Sequence, residues 1–571
     1  MTHAPLSRTS RVGVGGGACA ASLLGSVGAT SVNAVFSAAV SAGLAAAAMR
    51  PWGLGALALV AYVPAFSAVA TTRSVATGAV VAAIASLGAA SVGYEATAAI
   101  GPHVYLLALV LAPLPFAAAG AVAVRFAGVL RSRRTATAAE HGATRSRPSL
   151  AVVAALPLLW CAAEWLPAQP WLWGSNAMPL GAIGYSQVDL PTLRLATLSS
   201  VTSVSAAVLV VNALLVLVVS GGSPSLRLAA STGVTAVAVI VALANDGAAS
   251  PPSTPRSPAY RPDVVGTVSE PSPGRPGPIV RLVQPNLPDS AYLAAAALPG
   301  ARRALADHLA ELARAADTAG PRADLTILPE AAWPGPIRLD DTARDPLLLP
   351  SGAPQPLLFG APSAGTDAAG GPLTPQGGGS ATSDARWYAN SAFLLDGDAV
   401  ARVQDKVHLV PIAERGLRAG TGPAVFTAAG LALSVLICYD VVFPATSRSA
   451  ARAGAEVLVV LTDDSFAAKG DVPRLHLRVA RFRAVETGLP LVLASNTGPS
   501  GIVSAHGSVV ALTPELVATT LTAAVPLARH TTAYVRVGDW LGPLAALGAV
   551  VVAVLALSRG GGAGSFGSRP T

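Results

Sequence analysis

Before residue 246 charged side chains are so sparse that long apolar stretches follow one another with little between them. Spanning a bilayer as a helix takes roughly 20 residues. Stretches near 32–48, 52–70, 75–93, 104–124, 149–166, 199–219 and 228–244 are candidates for such spans, with one more at 541–558. So many apolar segments cannot share one soluble core, so the bilayer must take them. The whole chain agrees: only 12% of residues are charged and mean hydropathy is +0.56. A soluble domain carries about 25% charged residues. Alanine, glycine and valine supply most of the apolar character, which blurs the ends of each span. The Gly/Ala-rich piece 12–29 reads three ways: a ninth span, a cleaved signal, or an extension of the first helix.

Arginine placement orients the bundle. The loop 125–147 holds six arginines and falls between the fourth and fifth spans, which places it in the cytoplasm. Counting outward puts Arg8, Arg11, Arg73, Arg227 and Arg559 on the same side, with Arg50 and Arg194 among the few exceptions. Residues from about 246 to 539 then lie on the opposite face. The net charge of +8 mostly reflects this bias. No basic stripe with interleaved aromatics runs through the hydrophilic part, so nucleic acid is not an expected partner.

The expected organisation is an N-terminal segment 1–31, a transmembrane bundle of about seven helices over 32–245, and a linker at 246–278. An α/β domain over 279–535 and a final span with a tail over 536–571 complete it. The linker is too rich in proline, serine and glycine to pack. From Pro278 short apolar runs alternate with helical patterns: strands in IVRLVQPN, DLTILPE and PLLFGAPS, a helix over 301–317, and paired strands around Asp396-Gly397-Asp398. LALSVLIC, EVLVVLTDD and LPLVLASNTG continue the strands, with helices after Pro444 and near 474–487, and a hairpin at His506-Gly507. Strands alternating with helices define one α/β domain with helices on the sheet faces.

Three chemically capable side chains end such strands: Glu330 in ILPEAAWP, Lys406 in VQDKVHLVP and Cys438 in LICYDVVFP. The other cysteines, Cys19 and Cys161, sit in membrane-like sequence, so a disulfide is not expected. Cys438 reads either as a small core residue or as a nucleophile. A thiol needs deprotonation to attack, and a nearby carboxylate supplies the base. A fixed ammonium stabilises the oxyanion that attack on an ester creates. Among 38 basic residues only Lys406 and Lys469 are lysines. A compact ammonium kept where arginine is the habit argues for a tight site.

The order Glu330, Lys406, Cys438 in these contexts resembles the Glu-Lys-Cys triad of the carbon–nitrogen hydrolase (nitrilase) superfamily. Seven spans, such a domain and one last span resemble the layout of the apolipoprotein N-acyltransferase family. The likeness extends from about residue 50 to 558 and includes LVQPN, KVHLVPIAE, CYD, RVARFRAVETGLPLV, SNTG, WCAAEWL and GYSQVD. The resemblance implies a multi-pass α-helical membrane bundle plus an extracytoplasmic αββα sandwich, in the plasma membrane of a bacterium. It implies an acyltransferase that draws on a phospholipid donor and a diacylglyceryl-modified apolipoprotein acceptor, with no cofactor. Cys438 would carry the acyl chain as a thioester, with Glu330 as base and Lys406 at the oxyanion. Glu414 matches the family's second glutamate, and Tyr439 and Asp440 would help shape the site.

Glu414 also reads as a solvated loop carboxylate, and Tyr439 as packing. Asp440 stands where the family usually has glutamate. Trp165, Trp171 and Trp173 fall at an expected outer interface, as anchors or as the lining of a lipid entrance. Glu164, at a membrane end, is costly unless paired or wet. A membrane-tethered amidase or nitrilase using water is the alternative reading. A serine hydrolase lacks its G-x-S-x-G elbow, and the eight histidines show no metal-binding spacing.

Overall fold

The computed structural model describes residues 17–135, 150–220, 223–246, 275–319, 321–333, 335–338, 354–365, 387–397, 399–467, 470–527 and 530–558. Most of the linker, the centre of the arginine-rich loop, the 366–384 insertion and Lys469 lie outside them.

Among the described residues six helices are long and apolar enough to cross a membrane: Val32–Met49, Val75–Gly93, Pro102–Arg131, Leu150–Ala168, Pro191–Val219 and Pro224–Leu243. Two shorter apolar helical stretches, Gly55–Thr71 and Leu541–Leu557, accompany them. The chain is a membrane protein. The first of these helices runs unbroken over Gly17–Met49.

Irregular backbone within this apolar layer is satisfied by protein groups, as a waterless medium demands. The helix Ala58–Ala61 breaks before Val63–Thr71, and Asn212 fills the gap. Its Oδ1 accepts from the Tyr62 N–H at 2.8 Å and its Nδ2 donates to the Ala58 carbonyl at 2.8 Å. A second break lies in Ala196–Val219, where Ser199 and Ser200 leave helical geometry and Ser200 has φ +62°. There the buried Glu486 carboxylate accepts from Ser200 Oγ at 2.8 Å and from the freed Val201 N–H at 3.1 Å.

The C-terminal half holds two sheets. The first contains β1 (Arg275–Gln284), β2 (Leu325–Ile327), β3 (Ile337–Arg338), β4 (Leu357–Gly365), β5 (Trp387–Asp396), β6 (Ala399–Asp405) and β13 (Thr519–Leu527). Its order is β13-β1-β2-β4-β5-β6, with β3 beside β4. The second contains β7 (Phe426–Ala428), β8 (Leu431–Ile437), β9 (Val457–Thr462), β10 (Leu491–Ser495), β11 (Gly501–Val503) and β12 (Val509–Leu512), in the order β12-β11-β10-β9-β8-β7. Parallel pairs β8–β9–β10 sit at its centre. They are buried on both faces, as parallel strands must be.

Between the sheets lies a core of Leu282, Ile327, Leu358, Val435, Ile437, Val459, Leu461 and Val492. The amphipathic helix Pro299–Ala319 covers the first sheet through Leu305 and Leu309. The helices Pro444–Arg452 and Val472–Thr487 cover the second. That second helix layer shares one apolar cluster with the membrane helices, through Leu475, Val479 and Phe482. The two-sheet half is therefore held against the bundle by packing as well as by its chain connections. Polar ties across the two halves reinforce it: the buried Arg483 to the Tyr185 hydroxyl at 3.2 Å, Arg481 to Asp189 at 2.6 Å, and Arg50 to Asp471 at 2.7 Å.

Candidate active site

Strand ends deliver the three side chains singled out by sequence. Glu330 follows β2 by a short irregular segment and is succeeded by Ala331 at φ +51°. This turn presses onto β4, where Gly360 N–H donates to the Pro329 carbonyl at 3.1 Å. A Cβ at Gly360 would stand 2.6 Å from Glu330 Cα, so only glycine admits the turn. Lys406 is the residue after β6, held by its own N–H to the Asn390 carbonyl at 2.8 Å. Cys438 follows β8 and opens a single helical turn with φ +46°. A non-glycine residue there stores about 1–2 kcal/mol of backbone strain.

Lys406 is the hub. Its ammonium, in a side chain only 2% exposed, lies 3.0 Å from Glu330 Oε1 and 2.9 Å from Glu414 Oε1. Asn390 Nδ2 donates to the same two oxygens at 2.8 and 3.2 Å. The outer oxygens are also engaged: Asp463 N–H donates to Glu330 Oε2 at 2.9 Å, and Val410 N–H to Glu414 Oε2 at 2.7 Å. Burial alone would lower the Lys406 pKa, but Glu330, Cys438 and Glu414 outweigh it and hold the ammonium well above its ordinary value. An ammonium has three N–H donors. Two are taken by carboxylates among the described residues, which leaves one for a developing negative charge.

Cys438 shares this pocket and is 5% exposed. Burial pushes its thiol well above the ordinary value, Glu330 adds to that, and Lys406 opposes it. The resting thiol therefore keeps its proton, and attack requires a base. Alkylation of Cys438 by a small maleimide is expected to be slow at pH 7 and to accelerate as pH rises toward 10. Fast, pH-independent labelling would contradict a protonated resting state.

Glu414 is an integral member of the cluster, where sequence alone left a solvated loop carboxylate open. Asp440 staples the loop that follows Lys406. It accepts from the N–H groups of Val407 and His408 at 3.1 and 2.7 Å and of Ile437 at 3.1 Å. It thus ties the Cys438 turn to the residues that follow Lys406. Asp440→Ala orphans these donors, at about 1–3 kcal/mol for each one buried. The expected result is a lower thermal midpoint together with lost activity, because Lys406 loses its neighbour's anchor. Tyr439 reaches across to the membrane half, donating to the Ala177 carbonyl at 3.0 Å and meeting Phe443 edge to face.

Asn390, Asp463 and Glu414's bond to Val410 were not legible beforehand. An asparagine inside β5 has no local signature, and a backbone N–H carries none. Glu164 sits at the end of Leu150–Trp165, accepts from Ile183 N–H at 3.3 Å, and keeps Oε2 without a partner among the described residues. It lines a cavity of about 160 Å³ with Trp165, Phe443, Tyr534 and Asp539, between the two halves. Trp171 and Trp173 are largely exposed.

Comparison with known proteins agrees with the two halves. Residues 280–534 match the carbon-nitrogen hydrolase family model, and residues 41–214 match the apolipoprotein N-acyltransferase N-terminal domain. The fold and the matched domain define a carbon–nitrogen hydrolase unit carried by a membrane bundle. The apolipoprotein N-acyltransferase of Geobacter metallireducens is 36% identical over 193 residues, 30% of this chain and 37% of that protein. That of Rhizobium etli is 32% identical over 265 residues, 41% of this chain and 45% of the relative. That of Sinorhizobium medicae is 31% identical over 387 residues, 63% and 64% of the two. The matched stretches thus span less than two thirds of these relatives' lengths. A solved amidase from Nesterenkonia is 23% identical and covers 48% of this chain and 95% of its own, with a TM-score of 0.32. In both of its halves the chain is thus similar to apolipoprotein N-acyltransferases.

Proposed function

We propose that this protein moves an acyl chain from a phospholipid to the α-amine of the diacylglyceryl-cysteine that begins an apolipoprotein. The observation that carries the reading is the Lys406 ammonium held between Glu330 and Glu414 beside the buried Cys438 thiol. That cluster stands against a bundle of apolar helices, where lipid substrates reside.

Glu330 takes the thiol proton, and the sulfur attacks the ester carbonyl of the donor. The third Lys406 N–H meets the oxyanion, where fixed donors in a dry site act most strongly. The ester C–O bond breaks, Glu330 returns the proton to the leaving lysophospholipid, and Cys438 holds a thioester. The acceptor amine then attacks, Glu330 takes its proton, and the C–S bond breaks to release amide and thiol. Burial of the site keeps water from the thioester. The arginine distribution supports an extracytoplasmic position for this domain, in a bacterial plasma membrane. Tyr439 and Phe443, which join the nucleophile's turn to the membrane half, support a substrate path along that junction.

The test uses purified protein, a phospholipid labelled in its acyl chain and a synthetic diacylated lipopeptide. Labelled lipopeptide amide is the expected product. Label that reaches Cys438 and then appears only as free fatty acid would instead establish the water-using hydrolase.

A further inference from the structure

Arg50 and Arg194 are among the arginines that depart from the charge pattern that orients the helices. Arg50 is compensated by Glu95 and Asp471. Arg194 is not. It is half-buried just before the helix Ala196–Val219, and no carboxylate among the described residues pairs with it. Instead its Nη1 lies 3.1 Å from His506 Nδ1, and the His506 ring stacks on His530 with centroids 5.1 Å apart. The nearby Asp189 is already paired with Arg481 at 2.6 Å, and Arg481 Nε also donates to the Gly507 carbonyl at 2.8 Å.

A guanidinium only donates, so His506 Nδ1 must accept and the ring is neutral. Burial, with Arg194 and His530 adding to it, holds His506 down at about 4. Among the described residues the cluster is thus one obligatory cation and two imidazoles with no anion. It lies at the end of a membrane-length apolar helix, near the exposed Leu198, whose carbonyl accepts from Trp540 Nε1 at 3.1 Å. The end of a bilayer-crossing helix falls in the headgroup layer. A part-buried charge without a counter-charge is costly, and a phosphate answers a guanidinium with charge-assisted, bidentate hydrogen bonds.

We propose that Arg194, with His506 and His530, binds a phosphate-class anion, the headgroup phosphate of a phospholipid packed against this junction. The site shares no residue with the Glu330–Lys406–Cys438 cluster and does not depend on the acyl-transfer reading. It also secures the contact between the His506 hairpin and the membrane half.

The experiment purifies the full chain in detergent and counts retained phospholipid by native mass spectrometry. In parallel, thermal unfolding of lipid-stripped protein is followed with and without inorganic phosphate. Wild type is expected to retain a phospholipid that Arg194→Gln loses. Affinity should fall at least about tenfold, with the loss of the guanidinium's charge-assisted hydrogen bonds. Arg194→Lys should fall between them. Should Arg194→Gln not fold, His530→Gln, at an exposed ring, gives the second reading. Stabilisation by inorganic phosphate that needs Arg194, without retained lipid, supports the anion site and assigns it to free phosphate, against the headgroup. Equal lipid retention and equal phosphate response in wild type and variants overturns the proposal.

Discussion

Cys438→Ala is expected to abolish acyl transfer, a fall of about 10⁴-fold or more, while the protein stays folded in the membrane. The side chain is small and buried, so its loss opens a cavity of one sulfur atom. Such a change costs about 1 kcal/mol, far below what unfolds a domain. The alanine inherits the φ of +46°, so the turn keeps its shape and its strain. Activity would then vanish because no thioester can form. Transfer to the lipopeptide and acyl label on the protein should disappear together, while the thermal midpoint moves little. A variant that still acylates the lipopeptide removes Cys438 from the chemistry, and with it the mechanism.

Lys406→Met is expected to cost both stability and rate, and Lys406→Arg to separate the two. Glu330 and Glu414 both direct an oxygen at the ammonium, at 3.0 and 2.9 Å. Methionine leaves the buried Glu330 carboxylate and the part-buried Glu414 carboxylate facing each other without a cation, a penalty of about 3–5 kcal/mol. It also removes the oxyanion's donor, about 10²–10³ in rate. Arginine keeps the charge and should recover most of the stability. Its planar fork cannot place a single N–H where the compact ammonium does, so the rate should remain low. Thermal midpoints and single-turnover acylation of both variants provide the check. Full activity of Lys406→Arg would show that position 406 supplies only charge.

Much of this was legible in the residues. The apolar stretches mark membrane helices because the period and composition of a span are local properties. The strands of the α/β half are read from short β-branched runs for the same reason: LVLAS and VLVVLT each carry their burial in their own letters. Glu330, Lys406 and Cys438 could be listed from strand ends. Their assembly in space could not, because residues 330, 406 and 438 meet only when β2, β6 and β8 come from two different sheets.

Other features were illegible for the same physical reason. Asn390 bridges two carboxylates, and Asn212 closes a helix break 150 residues away in sequence. Glu486, on a helix of the catalytic half, caps a kink in a membrane helix. Nothing in the letters around an asparagine or a glutamate announces a partner so remote.

Taken alone, then, the chain's letters determined that it enters a bilayer, that a separate α/β unit follows, and which side chains could do chemistry. Hydrophobicity and periodicity act over one helical turn or one strand, so they survive in one dimension. The tertiary structure decided that one ammonium is shared by two carboxylates, that Asp440 serves the loop and not the lysine, and that Arg194 faces imidazoles, with no acid among the described residues. Those outcomes depend on distances of about 3 Å between segments far apart in the chain, where desolvation makes each pairing strong and specific.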